Sequence, residues 1–155
     1  MKLFQRKFNE LQMKEIELGR RQNVDISSYS DSKFNYKQMR EIRIGLRRDI
    51  PTWLYSNPEF DFKLMRELRR ALENNISVFK FIRDGFKHSQ IKEFVLTKLG
   101  GLCTKVIRTA RFNWMQMREI RLGLISRLDI SSYAKPSIHW KEMNMIRVAL
   151  EGSAA

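Results

Sequence analysis

One cysteine, Cys103, stands in 155 residues. No internal disulfide can form, which excludes a secreted scaffold held by cross-links and fits a reducing compartment. Histidine is nearly as scarce: His88 and His139 have no neighbouring Cys/His cluster, so no metal site or cofactor is expected. Long apolar runs are missing, and nothing approaches the ~20 residues of a membrane span. The opening MKLFQRKFNE carries charge where a signal peptide needs its apolar stretch, so the chain reads as cytoplasmic, without a membrane partner. No glycine-rich loop opens a helix; LGG, from Leu99 to Gly101, is too short to cradle a phosphate.

Acid is also short, with 17 Asp+Glu against 30 Lys+Arg, a formal charge of +13 and a pI near 10.2. That balance favours an anionic partner: nucleic acid, an acidic protein or an anionic surface. Apolar residues are plentiful at 43%. A chain of this length buries roughly 68–70% of its unfolded surface, enough for a core.

What the chain has in abundance is self-similarity. FNYKQMREIRIGL, Phe34 to Leu46, returns as FNWMQMREIRLGL, Phe112 to Leu124. The two copies lie three periods apart. Met13, Met39, Met65, Ile91, Met117 and Met143 mark the 26-residue period, with Phe8, Phe34, Phe60, Phe86, Phe112 and Ile138 five before each. Glu15, Glu41, Glu67, Glu93 and Glu119 lie two past the anchor, the sixth copy reading Met145. Small residues lie six past it: Gly19, Gly45, Ala71, Thr97, Gly123 and Ala149. A period in the range of roughly 20–50 residues marks stacked supersecondary units.

Each copy opens as a helix. Asn9, Asn35, Asp61 and Asn113 are candidate N-caps, and Gln12, Gln38 and Gln116 complete capping boxes. Tyr36, Met39, Ile42 and Leu46 then share one helical face. Asp25 and Asp129 are expected to cap a second, short helix of about 5–7 residues, and Pro51 suits the first turn of another. The recurring glycine points either to close approach of a neighbouring helix or to a helix that ends soon after. The reading is an all-α fold of six two-helix units, stacked as a short α-solenoid or compact helical repeat domain over residues 1–155. The fourth unit, 86–111, is the divergent one, with a basic CTKVIRTAR where other copies read DISSY.

The stretch DISSYAKP, followed by Met143, Ile146, Arg147 and Leu150, resembles a short helical repeat of uncharacterised proteins from phages, plasmids and conjugative elements of Firmicutes. There the pattern is roughly Tyr-Ala-x-Pro-x-Phe, Gln-Met, Ile-Arg-x-Gly-Leu. Tyr133, Ala134 and Pro136 match it, as do Phe112, Gln116, Met117, Ile120, Arg121, Gly123 and Leu124. The resemblance implies a mobile-element context, where small accessory proteins interfere with host defence. It implies no catalytic residue.

Nor do the residues themselves point to an enzyme. The carboxylates recur as a column, which suits ion pairing better than a unique acid/base pair. Cys103 lacks a histidine in a defined relation and reads as a small buried residue. Tyr36, Trp53, Tyr55, Trp114 and Trp140 keep a fixed phase, which favours core packing over base stacking.

The cations carry more. Lys14, Arg40, Arg66, Lys92 and Arg118 lie one past the anchor; Arg43, Arg69, Arg121 and Arg147 lie four past it. These positions are neighbours on a helix surface, and Arg47, with Arg48, extends the row. Two destinations are open: phosphates or acidic groups of a partner, or the Glu column of an adjacent unit. The leading expectation is a non-enzymatic protein that contacts nucleic acid or a ribonucleoprotein through this row. The alternative is an inhibitor that binds an acidic protein surface of a host defence complex such as a CRISPR nuclease.

Overall fold

The computed structural model describes residues 7–109 and 111–153. Among them are seven α-helices and no strand: α1 (Glu10–Arg21), α2 (Tyr36–Arg47), α3 (Phe62–Glu73), α4 (Phe79–Arg83), α5 (His88–Leu99), α6 (Trp114–Ile125) and α7 (Trp140–Ser153). None is long and apolar enough to cross a membrane. The starts of all but α4 follow the 26-residue period.

The expected caps are in place. Asn9, Asn35, Asp61 and Asn113 accept from backbone N–H groups of the first turn. Gln12, Gln38, Gln90 and Gln116 accept in return from the N–H of the residue three before them. Their amide nitrogens are not spare. Each also donates forward to a carbonyl 22 residues on: Gln12 to Phe34, Gln38 to Phe60, Gln90 to Phe112 and Gln116 to Ile138, all at 2.7 Å. One side chain thus closes a helix end and holds the entry to the next copy.

The second elements differ from expectation. Where short helices were expected, single 3₁₀ turns follow at Ile26–Ser28, Thr52–Leu54, Val106–Arg108 and Ile130–Ser132; α4 alone is α-helical. Asp25 and Asp129 do cap theirs, while Pro51 sits at the cap rather than inside the turn. In three of the turns the reason is the bond each must make. Tyr29, Tyr55 and Tyr133 end three of these turns with their rings fully buried, and their hydroxyls donate to the carbonyls of Glu15, Glu41 and Glu119. The tyrosine oxygen lies where a Cβ on Gly19, Gly45 or Gly123 would sit, at 1.8–1.9 Å. The close neighbour of the glycine is therefore this hydroxyl. A longer helix would carry the ring past its acceptor.

Helices α1, α2, α3, α5 and α6 each leave through a left-handed residue. Asn23, Asp49, Asn75 and Arg127 have φ of 53–55°, and Gly101, in the same phase of the repeat, has 67°. The turn lets the next N–H reach back, as Val24 does to the Gly19 carbonyl and Leu128 to that of Gly123.

Contacts gather the chain into two compact units, one up to Asn75 and one from Ile76. In the first, α1 packs on α2 and α2 on α3; in the second, α5 packs on α6 and α6 on α7. The division falls where the sequence abandons four columns together. Leu64 replaces Gln, Ala71 replaces Gly, Phe81 replaces Tyr and Val95 replaces Arg. Of the anchors, Met39 and Met65 in the first unit and Ile91, Met117 and Met143 in the second are fully buried. Met13 is half-buried, in an open groove beside Phe8, Glu10, Lys14 and Glu17.

Candidate nucleic-acid interface

The expected row of cations divides in two. Arg43, Arg69, Arg121 and Arg147 turn inward. Each reaches a glutamate 28 residues earlier: Arg43 Nε to Glu15 at 2.8 Å, Arg69 to Glu41 at 3.0 Å, Arg121 to Glu93 at 2.9 Å and Arg147 to Glu119 at 2.8 Å. The first two arginines are buried, and all four glutamates are. The remaining guanidinium nitrogens are also engaged in several cases. Arg43 donates to Gln22, Arg69 to Glu73 and Arg147 to Glu151. These four residues are thus committed to the seams between helices and do not form the outward row that the sequence suggested. The reason is geometric: four past the anchor faces the preceding helix, and the Glu column supplies the countercharge.

Electrostatics follow from that burial. Desolvation works against the charge on Arg69, and Glu41 and Glu73 more than offset it, so its proton is held more tightly than usual. Arg147 is held likewise by Glu119 and Glu151, again against desolvation. Burial opposes ionisation of Glu73, yet hydrogen bonds from Arg48 and Arg69 leave its carboxyl below the ordinary range. Desolvation pushes the phenols of Tyr29 and Tyr133 up to about 12. A buried pair of this kind is costly to break from one side, about 3–5 kcal/mol, because the survivor is stranded without water.

The other cations stay outside. Lys14, Arg40, Arg47, Lys92 and Arg118 are exposed and make no ion pair among the described residues. Arg66 is intermediate: it pairs with Glu41 at 3.1 Å and lies over the Phe62 ring at 5.4 Å. In the first unit, Arg40 and Arg47 border an open groove with Gln22 and Ile44. In the second, Lys92 and Arg118 each lie one helical turn beyond the first residue of α5 and α6, His88 and Trp114, and so share a face with them.

The two units differ in the company these cations keep. Up to Asn75 there are 16 Lys+Arg and 11 Asp+Glu; from Ile76 there are 14 and 6. Within 80–118 the contrast sharpens. Lys80, Arg83, Lys87, Lys92, Lys98, Lys105, Arg108, Arg111 and Arg118 are all exposed. The acids there are Asp84 and Glu93, and Glu93 is already tied to Arg121.

Several aromatic and sulfur side chains depart from expectation. Trp53 is 78% exposed and Trp114 39%, whereas Tyr55 is buried and Tyr36 and Trp140 are intermediate. The column holding Tyr36, Phe62, Trp114 and Trp140 is the first residue of each helix, before the buried face begins, so its rings reach water. Cys103 is exposed, because it follows the turn at Gly100 and Gly101 rather than facing the core. No cluster of three or more His, Cys, Asp or Glu side chains among the described residues is placed to hold a metal ion.

Sequence reasoning also missed an open groove of about 520 Å³ on the second unit, lined by Lys87, Arg111, Trp114, Pro136, Ser137 and His139 among others. The available signal was small. Lys87 holds the cap position of α5, and Arg111 lies two before the Asn113 cap of α6, so both stand where those helices begin.

No family model matches the chain, and neither a curated protein nor a solved structure shows significant similarity to it.

Proposed function

We propose that the chain is a non-enzymatic nucleic-acid-binding protein built of six 26-residue units, and that the exposed cations of its second unit make the contact. One observation carries this reading: the basic charge is sorted. Arg43, Arg69, Arg121 and Arg147 turn inward onto buried glutamates, and the surface of residues 80–118 keeps nine cations with almost no acid to balance them. Unbalanced cations of this kind attract phosphate, and each phosphate they neutralise releases a counterion. Lys14, Arg40, Arg47 and Arg66 add weaker contacts from the first unit. Arg43, Arg69, Arg121 and Arg147 act indirectly, by holding the helices that present the others.

The test is a titration of RNA and DNA oligonucleotides at two salt concentrations. Binding should fall steeply with salt, and replacing Lys92 and Arg118 with Gln should lower both affinity and salt slope. Oligonucleotide binding that ignores salt contradicts the reading.

A second reading is favoured by a different observation. On α7, Met145 and Val148 stand 72% and 52% exposed, one turn apart. Exposed apolar side chains beside basic ones suit a protein partner with an acidic rim, such as a host defence complex met by a mobile-element protein. Capture of a host partner that survives nuclease treatment, and is lost with Met145→Lys, favours this second reading over the first.

A further inference from the structure

We propose that the groove formed by Lys87, Arg111, Trp114 and His139 holds a segment of single-stranded nucleic acid, with a base lying on the Trp114 ring and its flanking phosphates on Lys87 and Arg111. The inference rests on the nucleic-acid reading above and gives it a place and a strand form. All the residues involved belong to the second unit.

The chemistry of the groove is narrow. Its volume of about 520 Å³ is that of a small-ligand site. Two cations line it and no carboxylate does. Part of its backbone is engaged: Gln116 donates to the carbonyls of Pro136 and Ile138, and Asn113 accepts from the N–H groups of Met115 and Gln116. The side chains supply the rest of its chemistry. Ser89, Ser137 and His139 offer hydrogen bonds, Lys87 and Arg111 offer charge, and Trp114 offers a flat apolar face.

The Trp114 ring is free where comparable rings are not. Lys37 lies over Tyr36 at 5.8 Å and over Phe62 at 4.8 Å, and Lys141 lies over Trp140 at 5.8 Å. No cation or aromatic ring among the described residues covers Trp114 in this way. An exposed indole in a groove that also holds two cations suits a nucleobase with its flanking phosphates. The base must be unstacked to reach it. In a duplex both faces of a base are covered by its neighbours, so only a single strand supplies a ring to this groove.

The test uses the full chain carrying Trp53→Phe and Trp140→Phe, which leaves Trp114 as the sole indole. A 12-nucleotide oligothymidylate, a duplex of the same length and inorganic polyphosphate are titrated against it, with circular dichroism as a check of folding. Oligothymidylate should quench Trp114, while duplex and polyphosphate should bind without quenching. In the otherwise native chain, Trp114→Leu should weaken oligothymidylate binding about tenfold and leave polyphosphate binding unchanged; Trp114→Phe should restore most of the loss. Lys87→Gln with Arg111→Gln should reduce the single-strand salt slope by about 1.4, two contacts' worth. Salt-dependent oligothymidylate binding without quenching, with Trp114→Leu unimpaired, overturns the groove and leaves the general reading standing. Equal quenching by the duplex overturns the single-strand assignment. Failure of every probe to bind overturns both.

Discussion

Helices α2 and α6 carry nearly the same phrase in different units. Their inward chemistry is the same. Gln38 and Gln116 each bridge forward to a carbonyl at the entry to the next copy. Gly45 and Gly123 lie under Tyr55 and Tyr133. Arg43 and Arg121 reach back to the buried Glu15 and Glu93. Their outward chemistry differs. Tyr36 and Lys37 become Trp114 and Met115, and the acids that accompany cations in the first unit thin out in the second. Two selections are superposed on one period. Columns that join helix to helix tolerate little change, because each group there satisfies a specific buried partner. Columns that meet water are free to accumulate charge of one sign.

Even an inward column can change when its partners change together. In the second unit Thr97 replaces the glycine and Ile107 the tyrosine. The Thr97 hydroxyl donates to the Glu93 carbonyl at 2.7 Å. That carbonyl is the equivalent of those that Tyr29, Tyr55 and Tyr133 serve elsewhere. The acceptor keeps a donor, now from its own helix, and a buried aliphatic side chain fills the space of the ring.

The largest effect should come from breaking the seams. Replacing Arg43, Arg69 and Arg121 together with Gln strands the buried Glu15 and Glu93, at about 3–5 kcal/mol for each pair broken, leaves Glu41 with Arg66 alone, and should unfold the protein by circular dichroism. Next comes the glycine column. Gly45→Ala forces a Cβ onto the Tyr55 hydroxyl and should cost about 1–3 kcal/mol by denaturant unfolding, like other overpacked sites. Adding Tyr55→Phe should recover part of that loss, since it removes the oxygen that clashes. Thr97→Gly has no such hydroxyl to accommodate and should be destabilising without rescue.

Alkali should separate the units by a smaller margin. A phenol raised in the fold stabilises while it stays protonated, fully below the unfolded value near 10. That contribution drains away as pH rises through about 12 for Tyr29 and Tyr133. Burial raises Tyr55 in the same direction. The first unit holds two such tyrosines and the second holds one. Amide exchange at pH 9 and pH 11 should therefore show α1 and α2 loosening more than α5, whose Thr97 does not titrate in this range. The smallest effect is local. The first unit uses Asn23, Asp49 and Asn75 for its left-handed turns, residues that tolerate the conformation, whereas the second uses Gly101 and Arg127. Arg127→Gly should relieve that strain and raise the melting temperature by about 2–4 °C per kcal/mol gained.

The helices, their caps and their starts were legible because capping chemistry is local and repeats visibly. The all-helical outcome follows from it. The short turns are not distinguishable from short helices in the sequence, because Asp25 and Tyr29 are compatible with either, and only the distance from the Tyr29 hydroxyl to the Glu15 carbonyl decides. The double duty of glutamine leaves a trace in the sequence: a capping box accepts Glu or Gln, yet Gln12, Gln38, Gln90 and Gln116 are all amides, because a carboxylate could not donate forward. The fate of the arginines could not be read from one helix. Arg40 and Glu41 point apart, and which cation meets which carboxylate depends on the packing of consecutive helices. The groove at Trp114 lay beyond sequence reasoning because it is built from residues 87 to 139, brought together by that packing.

The central claim is that the cations are sorted into structural and contacting sets. It is tested most directly by comparing two triple variants, Arg43→Gln/Arg69→Gln/Arg121→Gln and Lys92→Gln/Arg111→Gln/Arg118→Gln. Circular dichroism and single-stranded oligonucleotide titration at two salt concentrations would be run on the same samples. The first variant should lose its helical signal. The second should keep it, bind at least tenfold more weakly and show a salt slope lower by up to about two, at roughly 0.7 for each contact removed. A first variant that folds and loses binding, beside a second that binds like the parent, would contradict the account.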